Sequence, residues 1–191
     1  MNVIIRKLSS FFIKNQHIKE EDRALYEYAL KVFIQGFINI VITVLIGIFL
    51  NMIKECLCFF ITFILLRKFS GGLHAKKYVN CLASSSIIIL FSLLFIKYLE
   101  QNNNEILFIC IVVVSIFIIL LFSPLENKNK KLSAKEKKIF KYFTVLMTIL
   151  FFVIVLVLLL NESFLTYSFG MGIILVSLLL IIGKLYNSIK I

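Results

Sequence analysis

The sequence predicts an all-α polytopic membrane protein, with about six transmembrane helices behind an amphipathic, interfacial N-terminal helix. Three observations predict it. Of the 191 residues, 61% are hydrophobic and only 16% are charged, against roughly 25% charged in an ordinary soluble domain. Six apolar stretches recur, near 30–50, 53–66, 82–99, 105–122, 142–160 and 164–183. The basic residues, finally, gather in alternate gaps between those stretches. One span takes about 20 apolar residues, so residues 1–191 make a single integral membrane domain with no separate extramembrane part. A water-soluble enzyme is excluded. With one proline and seven glycines, the spans should be mostly unbroken helices.

The first element is the arm over 1–29. Arg6, Lys7, Lys14, Lys19 and Arg23 are interleaved there with Ile4, Ile5, Leu8, Phe11 and Phe12. The apolar positions follow helical spacing, which predicts a helix lying on the membrane surface. The arm lacks the uninterrupted apolar core and small-residue cleavage site of a signal peptide.

The spans follow, and their gaps set the orientation. Six Lys or Arg precede or open the first span, four lie in 67–80, seven in 123–141 and two at the C-terminus. The intervening gaps hold Lys54, Lys97 and none. By the positive-inside rule both termini and both long loops are cytoplasmic. The +11 net charge therefore marks orientation in the lipid bilayer, not a nucleic-acid partner. The second span is short, with a clean run only over Cys56–Leu66. It must thin the bilayer, tilt little or continue into the polar segment after it.

Cys56, Cys58 and Cys110 lie in apolar runs and read as small hydrophobes. With only His17 and His74, no zinc set of the usual spacing arises, so neither a metal nor a cofactor is expected. No phosphate-binding loop is present.

One polar segment looks chemical: Arg67-Lys68-Phe69-Ser70-Gly71-Gly72-Leu73-His74-Ala75-Lys76-Lys77-Tyr78-Val79-Asn80-Cys81. A Cys thiolate with a His as its base makes a nucleophilic pair. On one straight helix the seven-residue separation would hold them about 10.5 Å apart along the axis, beyond hydrogen-bond reach. Gly71 and Gly72 permit a loop that folds back. Asn80 is expected to cap the third span, which puts Cys81 in its first turn. There the helix dipole, with Lys76 and Lys77 nearby, favours the thiolate. An interfacial His and a lipid-facing Cys is the bland alternative.

The pattern Arg67…Gly72-Leu73-His74-(six residues)-Cys81 after two apolar spans, with Ser123-Pro124 leading into a lysine-rich loop, resembles the accessory gene regulator B family. The resemblance covers most of the chain. It implies a bacterial cell-membrane cysteine endopeptidase that matures autoinducing peptides for quorum sensing. His74 and Cys81 would be catalytic. Arg67, Gly71, Gly72, Lys76 and Lys77 would bind substrate or support the site. The partner it implies is a short AgrD-like precursor peptide with an acidic C-terminal tail, and the enzyme would be a homodimer. Members often carry an amide or acid near the position of Ala29–Lys31; this chain has Lys31 there, with Glu27 one turn earlier. The competing class is a non-catalytic peptide exporter, whose basic loops would gather the same acidic peptide. The scarcity of polar residues within the spans, and of Gly/Pro-broken spans, counts against it.

Overall fold

The computed structural model describes residues 5, 10–12, 20–71, 78–102, 104–125 and 133–189, the side chains of 78–81 and 189 excepted. Most of the expected N-terminal amphipathic helix therefore lies outside the described residues. Within that arm, Ile5 and residues 10–12 are helical, and the Phe11 and Phe12 rings meet edge-on at 5.9 Å.

The described residues contain no strand and six long helices. They are α1 (Arg23–Phe49), α2 (Ile53–Ser70), α3 (Tyr78–Asn102), α4 (Glu105–Phe122), α5 (Ala134–Leu160) and α6 (Leu165–Ile189). Five of them, all but α2, are long and apolar enough to cross a membrane. This is an all-α polytopic membrane protein. Helix α2 has 18 residues, about 27 Å of rise, but Lys54 and Glu55 open it and Arg67 and Lys68 close it. The short apolar run does continue into the polar segment, as helix, as far as Ser70.

The chain divides into two compact units at Ile42–Thr43, within α1. In the first, a single 3-10 turn over Glu20–Asp22 leads into α1 at Arg23, so residues 23–29 belong to the first long helix. Arg23 is bonded to Glu20 at 3.0 Å and Glu27 at 3.1 Å, and donates to Ser10 Oγ at 3.3 Å. Beyond this cluster Phe33, Phe37, Ile40 and Val41 are exposed. Lipid tails are as apolar as leucine, so in a bilayer such a face loses nothing by lacking a protein partner.

In the second unit α1 ends in a reversal at Asn51, which takes a left-handed φ of 56°. Cys56 then donates its thiol to Thr43 O at 3.3 Å. Helix α6 is the centre of this unit. Of its apolar window 61% is buried, against 11–28% for the other four spanning helices. It packs against α2, α3, α4 and α5. Two small residues make the approach possible: a Cβ on Gly170 would overlap the Phe108 ring of α4, and one on Gly172 would fall 2.7 Å from Thr62 Cβ of α2. Small residues let membrane helices pack closely where no hydrophobic effect drives them together. Several buried hydroxyls are satisfied within their own helices, Thr148 by Thr144 O at 2.7 Å and Ser177 by Ile174 O at 2.7 Å. Bonding of that kind fills a hydroxyl without opening a polar path.

Candidate functional site

The two polar segments flanking α2 and α4 meet. Helix α2 ends with Arg67 and Lys68 in its last turn, where cations complement the negative end of the helix dipole. Arg67 lies 5.6 Å above the Phe63 ring, and Lys68 lies 5.6 Å above that of Phe69. Phe69 in turn stacks on Phe143 at 5.1 Å and tilts against Phe140 at 6.5 Å, which ties the end of α2 to the start of α5. Gly71 N–H donates to Arg67 O at 3.2 Å.

Gly71 is the fixed point. Its φ is 77°, a region open to glycine and costly to other L-residues. It forms an isolated parallel bridge with Leu125, and Leu125 N–H donates to Ser70 O at 2.9 Å. A Cβ at Gly71 would overlap the Leu125 carbonyl oxygen. Both the torsion and the close approach exclude a side chain.

The partner strand-like segment follows a cis Ser123-Pro124 peptide at the end of α4. Helix ends leave carbonyls without intrahelical donors. Lys141, from α5, supplies them: its ammonium donates to Leu120 O and, at 2.9 Å, to Ser123 O. Lys184 of α6 sits 3.9 Å over the Phe122 ring at the same end. Ser70 Oγ and Ser123 Oγ are both buried, with no hydrogen-bond partner among the described residues. Nearby, α5 starts with a capping box in which Ser133 and Glu136 exchange hydrogen bonds.

The expected site residues are placed as follows. Arg67 and Gly71 are fixed as just described. Gly72, His74, Lys76 and Lys77 lie outside the described residues, as do Lys128, Lys130 and Lys131 of the basic loop. Cys81 is the fourth residue of α3, its side chain not described. Asn80 is not the cap expected from the sequence, because α3 is already helical at Tyr78. The helix runs past the cap candidate, so Asn80 and Cys81 both lie within α3. Glu27, the acid near the start of the first span, is engaged by Arg23.

Lys141 is the residue that sequence reasoning missed. Counted in the sequence only as one of the seven basic residues of 123–141, it is half-buried and bonded to backbone, whereas Lys135 and Lys138 are exposed. A signal was present: Lys141 interrupts the apolar run Ile139-Phe140-Lys141-Tyr142-Phe143, where a lysine needs a partner.

No curated protein and no solved structure matches the chain. The family model described as accessory gene regulator B matches residues 5–182. That match takes in α1 to α5, most of α6, the Gly71–Leu125 bridge and both polar segments, so the chain belongs to the accessory gene regulator B family, a membrane family of quorum-sensing peptide processing.

Proposed function

We propose that this protein is a membrane cysteine endopeptidase that removes the C-terminal tail of a peptide precursor and closes the remainder into a ring. The observation that carries it is the framing of the Gly-x-His…Cys segment. Gly71 is locked to Leu125 on one side, and Cys81 stands in the N-terminal region of α3 on the other. The six residues 72–77 join that bridge to α3, and His74 is among them.

Cys81 attacks, as thiolate, the carbonyl that joins the peptide's central segment to its acidic tail. The C–N bond breaks, and His74 gives its proton to the departing amine. A thiol or hydroxyl of the bound peptide then attacks the thioester, its proton passing to His74 and Cys81 leaving as thiolate. The product is a thiolactone or lactone, and no water is consumed. The exchange needs no nucleotide, because the acyl-enzyme already holds the peptide in an activated form. Exclusion of water at a membrane interface favours closure over hydrolysis.

The alternation of basic gaps supports a cytoplasmic placement of both termini and of this site. The homodimer rests on the family resemblance alone.

Proteoliposomes holding the protein and a precursor peptide with an acidic tail provide the test. Cys81→Ala should lower cleavage by more than about 10³-fold, while Cys56→Ser, Cys58→Ser and Cys110→Ser together keep most activity. Serine at 56 retains a donor for Thr43 O. A folded, inactive triple variant would move the nucleophile elsewhere. An exporter would continue to move peptide in Cys81→Ser, whereas thiol-dependent cleavage stops.

A further inference from the structure

At the other end of the same helices, remote from the Gly71–Leu125 bridge, lies a cavity of about 100 Å³. The α3–α4 turn supplies Glu100 and Glu105, and the α5–α6 turn supplies Glu162 and Phe164. Thr166 and Tyr167 of α6 complete the wall. Among the described residues no Lys or Arg forms an ion pair with any of these three carboxylates; Lys97 is within electrostatic range of Glu100, as is a fourth acid, Glu55.

Two groups in this cavity are unfinished. Glu100 Oε1 is buried and has no hydrogen-bond partner among the described residues. Tyr167 is 5% exposed, and its hydroxyl is likewise buried and unpartnered. Its ring is held edge-on against Phe108 at 5.0 Å, so the side chain is locked in place beside Glu100 and Glu105. An acceptor that is charged and buried is costly without a donor. Both residues line the same cavity without bonding each other, and a donor-bearing cation held between them would complete both.

We propose that this cavity binds a primary ammonium group. Among the described residues no three carboxylate, thiol or imidazole groups converge closely enough to hold a metal ion. The acceptors are instead spread around a space of about three water volumes. An ammonium carries three donors and suits dispersed acceptors, and the lining includes two aromatic residues, Phe164 and Tyr167, a residue type that attracts cations. The group belongs either to a small soluble amine or to an aminophospholipid headgroup, since the cavity opens where helices end. This inference does not depend on the proposed peptide chemistry.

The test uses the full chain in nanodiscs of phosphatidylcholine, with thermal unfolding as the readout. Ethylammonium chloride should raise Tm with a saturable dose dependence. Sodium and tetramethylammonium chlorides at equal ionic strength should not, because neither donates from nitrogen. In Glu100→Gln and in Tyr167→Phe the midpoint of the ethylammonium effect should move to about tenfold higher concentration. If a headgroup is the source, discs containing phosphatidylethanolamine will show the raised Tm without added amine, and Glu100→Gln will abolish that increment. If a soluble amine is the source, the headgroup adds nothing and ethylammonium still acts. Three results would overturn the proposal: an equal shift with tetramethylammonium, an ethylammonium response unchanged in both variants, or no response to ethylammonium in either lipid. Both variants are near-isosteric. The exposed Glu105→Gln keeps the test open if either fails to fold, since it should weaken the response without disturbing the core.

Discussion

The two ends of the helical unit Thr43–Ile191 treat charge in opposite ways. At one end cations are committed to the fold: Lys141 closes the carbonyls of α4, and Lys184 lies over Phe122. At the other end three carboxylates surround a cavity, with Glu100 Oε1 and the Tyr167 hydroxyl unpartnered among the described residues. The difference teaches where each end's function sits. A helix C-terminus needs donors, and a lysine from a neighbouring helix brings them without any ligand. Among the described residues the acidic end has no cation paired with these carboxylates, Lys97 acting on Glu100 only at range, and the proposed ammonium group would come from outside the chain.

The comparison breaks first if the basic end carries no chemistry. His74→Ala should lower cleavage about 10²- to 10⁴-fold at neutral pH, while His17→Ala leaves it unchanged. Unimpaired turnover in His74→Ala would remove the pair from the mechanism.

Next comes the anchor itself. Gly71→Ala should cost about 1–3 kcal/mol from the positive-φ, extended torsion alone, and more from the overlap with Leu125 O. Thermal unfolding in nanodiscs would show it, together with a loss of cleavage. Wild-type values on both measures would mean that the Gly71–Leu125 bridge does not anchor the segment.

Lys141→Met sharpens the contrast between committed and solvated lysines. It removes two hydrogen bonds from a charged donor, each worth about 1.5–3 kcal/mol at most when shielded and less here, where the side chain is half-buried. Lys135→Met and Lys138→Met should stay within about 0.5 kcal/mol. Single changes at the exposed lysines are thus expected to cost less than the change at Lys141, which holds the carbonyls at the end of α4.

The smallest effect concerns long-range attraction. The Debye length is about 8 Å at physiological salt, so raising ionic strength should increase KM for an acidic-tailed peptide and leave kcat nearly unchanged. Arg67→Lys should weaken substrate capture despite keeping the charge, because lysine lacks the planar fork. Wild-type capture in Arg67→Lys would assign that role elsewhere.

The helices were legible because lipid imposes one rule on every residue of a span. Apolar runs of about 20 residues need no partner information to be recognised, and five of the six stretches became helices of spanning length and hydropathy. Helix ends were less legible. Asn80 is a good cap by composition, yet α3 is helical from Tyr78, since a cap competes with whatever holds the preceding turn. The Gly71 requirement was half visible: a Gly pair marks a turn, but not that Leu125 would occupy the space of a side chain.

Sequence by itself determined the class of the protein, its alternating charge and the Arg67…His74…Cys81 pattern, because hydropathy and local spacing are properties of a single segment. Only the tertiary structure decided that α6 is the central helix, that 67–71 is pinned to 123–125, that Lys141 serves backbone and not solvent, and that Glu100, Glu105, Glu162 and Tyr167 share one cavity. Each of these joins residues 18 or more positions apart or on different helices. Such contacts depend on which faces of the helices meet, and within a membrane that is set by close packing around small residues such as Gly170 and Gly172, which hydropathy does not encode.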